Sequence, residues 1–478
     1  MSVKINDVQM HVLNMRTRFP FKYGIASLVA LPHLFVRLDT EVDGVSSVGL
    51  SADGLPPKWF TKNPEAPFEA DLDEMLAVIR NAARIAGEIT EVGTAFDLWQ
   101  TLYQSQEAWA ESTSYPPLLW AFGVSLLERA VIDAVCRAKG SSLGEAVRNG
   151  ALGIRLAAIH PEFEEKRPFE YLAGRPLRSI RVRHTVGLAD PLTASDIPED
   201  ETLTDGLPQS LEDNIGVYGL THLKIKLCGD ADVDRARLRC IAALMDGREC
   251  RFTLDGNEQY TELTPFRDLW EAIRSDNELD TFLQGLIFVE QPLHREVALS
   301  DETRSVLSAW DECPPMIIDE SDGSLDSSRR ALECGYVGTS HKNCKGVFKG
   351  IANACLMAKR QEETGRGHVL SSEDLANVGP VALTQDLAVL ATLGITHSER
   401  NGHHYFSGLS MFPDDVQEQI TNSHGSLYRS IGSFPALAVK DGALDVSSVV
   451  DAPFGYDFTL DTTRYTPLAD WSSESLLI

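Results

Sequence analysis

Charged residues recur at a nearly constant interval through the middle of this chain, and that interval constrains the fold more than any other feature. Lys226 is followed after 29 residues by Asp255, after 35 more by Glu290 and after 29 more by Asp319. Each stands at the end of a short, apolar, β-branched run, and a helix-like segment follows each run. One strand with its crossover helix needs about 30 residues. The interval therefore predicts repeated βα units with a charged residue at the carboxyl end of each strand.

Eight such strands can be counted from about Ile180 onwards. They are predicted near 180–187, 222–227, 251–255, 286–290, 316–319, 336–341, 368–371 and 394–397. Amphipathic segments such as 231–246, 347–363 and 380–392 lie between them. Eight repeats favour a closed (β/α)8-type, TIM-like barrel over an open doubly wound sheet. Active sites of such barrels lie at the carboxyl ends of the strands, where the spacing places the charged residues.

The first 150 residues predict a separate α+β domain. Residues 1–50 alternate like an antiparallel sheet, and residues 69–108 and 117–139 have apolar side chains at helical spacing. Two stretches rich in glycine and proline, Phe19–Gly24 and Asp53–Lys58, are predicted to be loops.

The remaining parts of the chain are predicted from their composition. Residues 151–180 contain three prolines and basic patches, which indicates an irregular insertion at the start of a barrel domain spanning 151–410. Residues 411–478 predict short strands and loops, and we expect this C-terminal segment to return to the first domain and complete it.

Bulk properties exclude several classes of partner. A chain of 478 residues is long enough for two domains, and its net charge of −27 argues against a nucleic-acid or anionic-membrane partner. The eight cysteines form no CxxC pair, which is typical of a reduced protein without a zinc knuckle. With no signal peptide and no apolar stretch long enough to span a bilayer, we expect a cytoplasmic location.

Two lysines share one face of the strand near 222–227. Because side chains alternate along a strand, Leu223, Ile225 and Leu227 face one way, while Lys224 and Lys226 face the other. Taken alone, the pattern fits solvated lysines at a sheet edge. In a barrel the aliphatic face packs on helices, so both lysines would point inward. We expect the two ammonium groups to lower each other's pKa and so to favour a general base.

Each carboxylate also has an ordinary explanation when it is taken alone. Asp255 could belong to a turn, Glu290 could end a strand before proline, and Asp319 could begin a helix. Three buried carboxylates at one barrel rim would repel one another, and a cation would relieve that repulsion. Oxygen ligands favour a hard divalent ion, Mg²⁺ first, with Mn²⁺ as the alternative.

The order of the motifs resembles a known family. It runs through Lys-x-Lys, Asp-x-Asn, Glu-Gln-Pro, Asp-Glu-Ser and then a lysine after the sixth strand, Lys342. This order is similar to that of the enolase superfamily, and closest to the muconate-lactonizing-enzyme-like branch of the mandelate racemases and muconate lactonizing enzymes. The opening sheet resembles that family's capping domain, and residues 126–133 resemble the helix that leads into its barrel.

The resemblance implies a role for each matched residue. It implies Asp255, Glu290 and Asp319 as metal ligands, Lys226 as an acid/base, Lys224 as a contact of the substrate carboxylate, and Lys342 as the base on the opposite face. The expected substrate contacts are Lys22, Tyr23, Asn257, Glu320, Lys345 and Glu399. The family's Gly-Gly pair after the sixth strand is missing, so Lys345 is an alternative to Lys342 as the base.

The resemblance also implies a reaction. Such enzymes remove the proton from the carbon beside a carboxylate, and Mg²⁺ stabilises the enediolate. The outcome would be racemisation or epimerisation, dehydration, or cycloisomerisation of a small carboxylic acid, by a protein expected to form homo-oligomers. Two alternatives are a barrel lysine that forms a Schiff base and a catalytically inactive scaffold with a binding role. The histidine-rich run at 397–404 suggests transition-metal binding, but adjacent histidines on a strand point apart.

Overall fold

A computed structural model describes residues 2–23 and 25–476, without the side chains of Tyr23 and Ala26. The strands are β1 (Val3–Tyr23), β2 (Ala26–Val42), β3 (Val45–Gly54), β4 (Ser179–Val186), β5 (His222–Lys226), β6 (Arg251–Asp255), β7 (Leu286–Glu290), β8 (Met316–Ile318), β9 (Gly338–His341), β10 (Val369–Ser372), β11 (His397–Arg400), β12 (Tyr428–Ile431), β13 (Phe434–Leu437), β14 (Ala443–Asp445) and β15 (Thr466–Pro467). The α-helices are α1 (Phe68–Glu88), α2 (Ala95–Ala110), α3 (Pro117–Lys139), α4 (Leu143–Arg148), α5 (Leu211–Tyr218), α6 (Ala231–Leu244), α7 (Leu263–Arg274), α8 (Asp280–Leu283), α9 (Asp301–Ser308), α10 (Ser327–Cys334), α11 (Val347–Thr364), α12 (Ala382–Leu393), α13 (Gly402–Tyr405), α14 (Asp414–Ser423) and α15 (Ser447–Asp451).

The first sheet combines both ends of the chain. Its antiparallel order is β15-β1-β2-β3, so a short strand from the C-terminal segment pairs with the first strand. Asp43 and Gly44 turn the chain between β2 and β3, both with positive φ, as a tight two-residue hairpin turn requires. The α-helices α1, α2 and α3 follow this sheet.

The domain boundaries at 150 and 410 stay a prediction.

Two details of this region differ from the expectation. In the predicted loop at 19–24, residues 19–23 belong instead to strand β1 of a long hairpin, because Phe21 and Tyr23 pair with Leu28 and Ala26 on β2; Gly24 lies outside the described residues. The predicted helix at 69–108 is two helices, because Thr94 caps the start of α2 by accepting a hydrogen bond from the Asp97 backbone.

The second sheet forms the predicted barrel. Eight parallel strands follow the order β10-β9-β8-β7-β6-β5-β4-β11, and β14 pairs antiparallel with β4. One hydrogen bond from a side chain to the backbone joins the end strands, since Ser398 Oγ on β11 donates to the Ser372 carbonyl on β10 at 3.2 Å. The eighth strand begins at His397 rather than near 394, because α12 continues to Leu393 and Gly394 ends it with φ 76°. No helix of the described residues is long and apolar enough to cross a membrane.

A buried carboxyl group joins the capping helix α3 to the barrel. Glu128 Oε1 accepts a hydrogen bond from the Phe348 backbone N–H at 2.6 Å, in the first turn of α11. The residue is 1% exposed, and burial raises the pKa of Glu128 to about 8 despite that hydrogen bond. The contact ties α3 to the segment that follows β9 and its lysines.

Candidate active site

Parallel register brings the charged ends of the barrel strands to one level. Lys226 on β5 is the lateral neighbour of Asp255 on β6, and Asp255 is the lateral neighbour of Glu290 on β7. The apolar Leu223 and Ile225 are buried on the other face of β5, as the alternation predicted. We call the cluster at these strand ends the charged floor. Its members are Lys224, Lys226, Asp255, Glu290, Asp319, Lys342, Glu373 and Glu399, and all are buried.

Lys224 lies at the centre of the charged floor. Its Nζ is 2.9 Å from Asp255, 2.9 Å from Glu290 and 2.8 Å from Glu399, and it also contacts Glu373. Four acidic groups therefore surround one ammonium group that is 1% exposed.

The other two lysines stand on opposite sides of the barrel. Lys226 Nζ is 2.5 Å from Asp255 Oδ2, whereas Lys342 Nζ is 2.6 Å from Asp319 Oδ2 and 2.7 Å from Glu373 Oε2. Lys226 ends β5 and Lys342 directly follows β9, and these two strands are four positions apart in the order of eight. The strands that carry the three predicted metal ligands lie between them.

The expected mutual lowering of the lysine pKa values is not found. Burial by itself lowers the pKa of Lys224, but the surrounding carboxylates raise it well above its ordinary value. The pKa values of Lys226 and Lys342 are raised for the same reason, by Asp255 and by Asp319 with Glu373 respectively. Attraction to carboxylates at ion-pair distance outweighs repulsion between the ammonium groups.

Three carboxylates approach closely enough to share a cation. Glu290, Asp319 and Glu373 each offer an oxygen within 4.8 Å of the others, and no other group of this kind is found among the described residues. Glu290 Oε2 is buried without a hydrogen-bond donor. Burial and the neighbouring Glu373 raise the pKa of Glu290 well above its ordinary value. An orphaned oxygen in an all-oxygen set fits a hard divalent cation.

Glu373 is the member of this group that the sequence reasoning missed. It directly follows β10, and it stands 31 residues after Lys342, so it continues the βα interval. Asp255, which was expected among the ligands, lies between Lys224 and Lys226 instead of in the close group. Burial would raise the pKa of Asp255, but the two lysines lower it to about 2. The ligand roles of Asp255, Glu290 and Asp319 stay a prediction.

Lys342 and Lys345 occupy different environments although they are three residues apart. Lys342 lines the cavity above the floor, and its Nζ lies 4.4 Å from the centre of the Trp59 ring. Lys345 Nζ donates to Asp319 Oδ1, to the Asp319 carbonyl and to the Ser340 carbonyl, at 2.7, 2.8 and 2.7 Å. All three of its donors are used within the protein. This contrast favours Lys342 as the group that can reach a substrate.

Some of the predicted substrate contacts line the cavity and others do not. Asn257, Glu320 and Glu399 line the cavity, which measures about 730 Å³ including the space at its mouth. Lys22 is exposed on the hairpin and is not among the described lining residues. The Tyr23 side chain lies outside the described residues. Burial, followed by the charges of Asp319 and Glu258, raises the pKa of Glu320 to about 8.

Gln291 is a bracing residue that the sequence reasoning did not assign. Its Oε1 accepts from the Asp319 backbone N–H at 2.7 Å, and its Nε2 donates to Ser321 Oγ at 2.7 Å. The amide thus fixes the end of β8 against the end of β7. The φ angle of Gln291 is 35°, a value that residues other than glycine rarely adopt, so the backbone is strained at this point of the site.

The histidine-rich run supplies packing. His403 Nε2 lies 3.0 Å from His184 Nδ1, and the ring of His404 lies 4.9 Å from the ring of His184. Burial lowers the pKa of His184 to about 3. Arg400 contacts Asp374 at 2.6 Å and Asp386 at 2.5 Å.

Comparisons with known proteins bear on the fold. No protein-family model matches the chain, and no curated protein matches it. Solved structures do match. A mandelate racemase/muconate lactonizing protein from Herpetosiphon aurantiacus has a TM-score of 0.58 at 16% identity, over 95% of this chain and 99% of that chain.

Two further structures carry bound ligands. A dipeptide epimerase from Enterococcus faecalis, complexed with Mg and the dipeptide L-Leu-L-Tyr, has a TM-score of 0.59 at 15% identity, over 96% of this chain and 100% of that chain. An enolase from Bradyrhizobium, complexed with magnesium and mandelic acid, has a TM-score of 0.57 at 14% identity, over 97% of this chain and 99% of that chain. These likenesses confirm the predicted fold, a barrel with an α+β N-terminal domain that the C-terminal segment completes.

Proposed function

We propose that this chain is a metal-dependent enzyme of the enolase superfamily, of the mandelate racemase and muconate lactonizing kind, that removes the proton beside a carboxylate. The observation that supports this proposal is the pair of opposed lysines. Lys226 and Lys342 come from strands on opposite sides of the barrel, and each contacts a carboxylate of the strands between them. A carbon held between the two ammonium groups would present one face to each.

The carboxylates of the floor are the proposed cation ligands. Glu290 and Asp319 belong both to the set that the resemblance implies and to the close group, and Asp255 or Glu373 would complete the set. A divalent cation held there would supply Lewis acidity at the substrate carboxylate and would offset the carboxylate charge that raises the lysine pKa values. Mg²⁺ is the first choice for such ligands, with Mn²⁺ as the alternative.

The lysines have separate proposed roles. Lys224, at the centre of the floor, would face the substrate carboxylate. A neutral Lys226 or Lys342 would accept the proton from the carbon, while the electron pair of the broken C–H bond moves onto the carboxylate oxygens to give the enediolate. The opposite lysine would return a proton to the other face. Racemisation or epimerisation uses both lysines, while dehydration and cycloisomerisation need one of them to take the proton.

The alternative functions meet physical obstacles. A Schiff-base enzyme would have no use for the close group of Glu290, Asp319 and Glu373, whose oxygens lie within 4.8 Å of one another. An inactive scaffold would have no reason to keep three lysines and five carboxylates buried together at the strand ends, where unbalanced charge is costly.

The direct test is solvent exchange. The full chain is incubated with Mg²⁺ in D₂O and a panel of chiral carboxylic acids, and deuterium at the α-carbon is followed by NMR. We expect exchange with at least one acid, and we expect Lys226→Ala to abolish it for at least one stereoisomer. Exchange that survives both Lys226→Ala and Lys342→Ala would remove the proposed acid/base pair. No exchange together with no Mg²⁺ binding by calorimetry would support the inactive scaffold.

A further inference from the structure

The hairpin tip and the barrel loops form a separate hydrophobic cluster over the cavity. The cluster contains Met15, Phe21, Leu28, Leu31, Ala376, Val378, Tyr405 and Phe406. Phe21 stacks on Tyr405 with ring centres 4.1 Å apart, which fixes the hairpin against α13, the short helix after β11. Phe21, Leu28 and Ala376 also line the cavity. The capping hairpin therefore presents an apolar surface to the space above the charged floor.

Other apolar residues extend this surface. Pro56 and Trp59, from the segment after β3, and Leu375, from the segment after β10, line the same cavity. We call the six residues Phe21, Leu28, Pro56, Trp59, Leu375 and Ala376 the apolar wall. Trp59 lies over Lys342, so the wall extends to one of the two lysines proposed to act on the substrate.

Several polar side chains at the cavity are already satisfied by the protein. The ion pairs are Lys58 with Asp71 at 3.0 Å, Arg295 with Glu258 at 2.7 Å, and Asp374 with Arg400 at 2.6 Å. Arg295 also donates to the carbonyls of Trp59 and Phe60. A substrate chain rich in hydroxyl groups would meet the apolar wall and these engaged side chains. Asn257, Glu320 and Asn401 also line the cavity, but the amides of Asn257 and Asn401 already donate to Asp255 and Glu399. Most hydroxyls of such a chain would therefore lose water without gaining partners, which weakens binding.

We propose that the substrate carries an aryl or branched alkyl substituent next to its carboxylate, and that a polyhydroxylated acid is a poor substrate. The carboxylate would lie at the charged floor, and the substituent would lie against the apolar wall. This assignment of substrate class rests on the proposed function, because it takes the floor as the place where the carboxylate binds.

The test separates substrate class from reaction. Exchange at the α-carbon in D₂O is measured on the Mg²⁺-loaded full chain for 2-phenyl and 2-isobutyl carboxylic acids and for aldonic acids of similar length. We expect kcat/KM for exchange to be at least tenfold higher with the apolar acids. Faster exchange with the aldonic acids would overturn the substrate class and leave the proposed reaction standing.

A binding measurement decides the case in which no acid exchanges. Phenylacetate and gluconate are titrated into the Mg²⁺-loaded chain by calorimetry. We expect the Kd for phenylacetate to be at least tenfold lower, whether or not turnover occurs. Equal values, or tighter binding of gluconate, would overturn the substrate class. Failure of exchange with selective phenylacetate binding would overturn the reaction alone.

Two variants locate the selectivity in the wall. Leu375→Ala is expected to raise the Kd for phenylacetate at least threefold and to leave the Kd for gluconate within twofold. Trp59→Ala is the second variant, and Trp109→Ala is the matched control because that indole packs on Tyr115 outside the cavity lining. If Leu375→Ala and Trp59→Ala changed the Kd of both ligands equally, or if only the control Trp109→Ala changed it, the selective wall would be contradicted.

Discussion

The charged floor and the apolar wall face the same cavity but come from different kinds of structure. The floor is built at the ends of repeated parallel strands, whose register fixes one charged side chain beside the next. The wall is built from a hairpin tip and two connecting segments that meet only in the folded protein. The comparison assigns the proposed reaction and the proposed substrate class to separate parts of the structure. Substitutions in the floor should leave the wall largely intact, and substitutions in the wall should leave the floor largely intact. The predictions below test that separation.

The largest expected effect is at the floor. Lys342→Met removes an ammonium group but keeps a similar apolar stem beneath Trp59. We expect the exchange rate for one stereoisomer to fall by about 10³-fold, within the range for loss of a general acid/base. Lys166→Met, at an exposed lysine of the insertion, is the matched control and should leave the rate unchanged. An exchange rate that is unchanged in Lys342→Met would contradict the proposed role of Lys342 in the reaction.

The second effect concerns the cation. Glu373→Gln keeps the shape of the side chain and removes its charge, so we expect Mg²⁺ affinity to fall by more than the roughly 10–100-fold typical of an outer-shell partner. Asp255→Asn measured in parallel shows which of the two carboxylates completes the ligand set. The exposed Glu363→Gln serves as control, and calorimetric titration of Mg²⁺ is the readout. Wild-type affinity in Glu373→Gln would remove that residue from the set.

The third prediction concerns the wall and should leave the floor untouched. Leu28 is 1% exposed in the hairpin cluster, whereas Val29 beside it on β2 is 36% exposed because strand side chains alternate. Leu28→Ala should lower the free energy of unfolding by about 2–4 kcal/mol, and Val29→Ala by less than about 0.5 kcal/mol. Chemical denaturation measures both. A Mg²⁺ affinity changed more than about twofold by Leu28→Ala would argue against independent floor and wall.

The smallest effect, counted per pH unit, is at the contact between α3 and the barrel. The pKa of Glu128 is raised from 4.5 to about 8 by burial, so the folded protein holds a proton that the unfolded chain has released. The free energy of unfolding therefore falls as pH rises from about 4.5 to about 8, by up to about 1.4 kcal/mol per pH unit from this group. Glu128→Gln should remove this contribution. Identical pH slopes for the two proteins, measured by denaturation, would contradict it.

The sequence could predict the floor because strand alternation and the βα interval are local. Lys224 and Lys226 follow from a period of two, and Asp255, Glu290 and Asp319 follow from a repeat of about 30 residues. The same interval could have found Glu373.

The raised lysine pKa values could not be predicted in that way. They depend on which carboxylates reach each ammonium group, and that is a matter of distances in three dimensions. The choice between Lys342 and Lys345 likewise needed the three acceptors around Lys345.

The apolar wall could not be predicted from the sequence, because its members have no common spacing. Phe21 and Leu28 belong to a stretch that was predicted to be partly loop, and Leu375 lies far along the chain. The second strand of the hairpin satisfies the backbone of Phe21, so the stretch that contains Pro20 could still extend as β structure. Tertiary contacts of this kind override local turn signals.

Pairing of β15 with β1 has a consequence for the order in which the protein matures during synthesis. His11 and Val12 can pair with Pro467 and Thr466 only after these residues have been synthesised, more than 450 residues later. The first sheet keeps an open edge throughout that interval, and such an edge invites pairing with other chains. Translation that stalls before Thr466 would leave β1 without this partner strand, so protection of that sheet edge depends on the segment that carries β15.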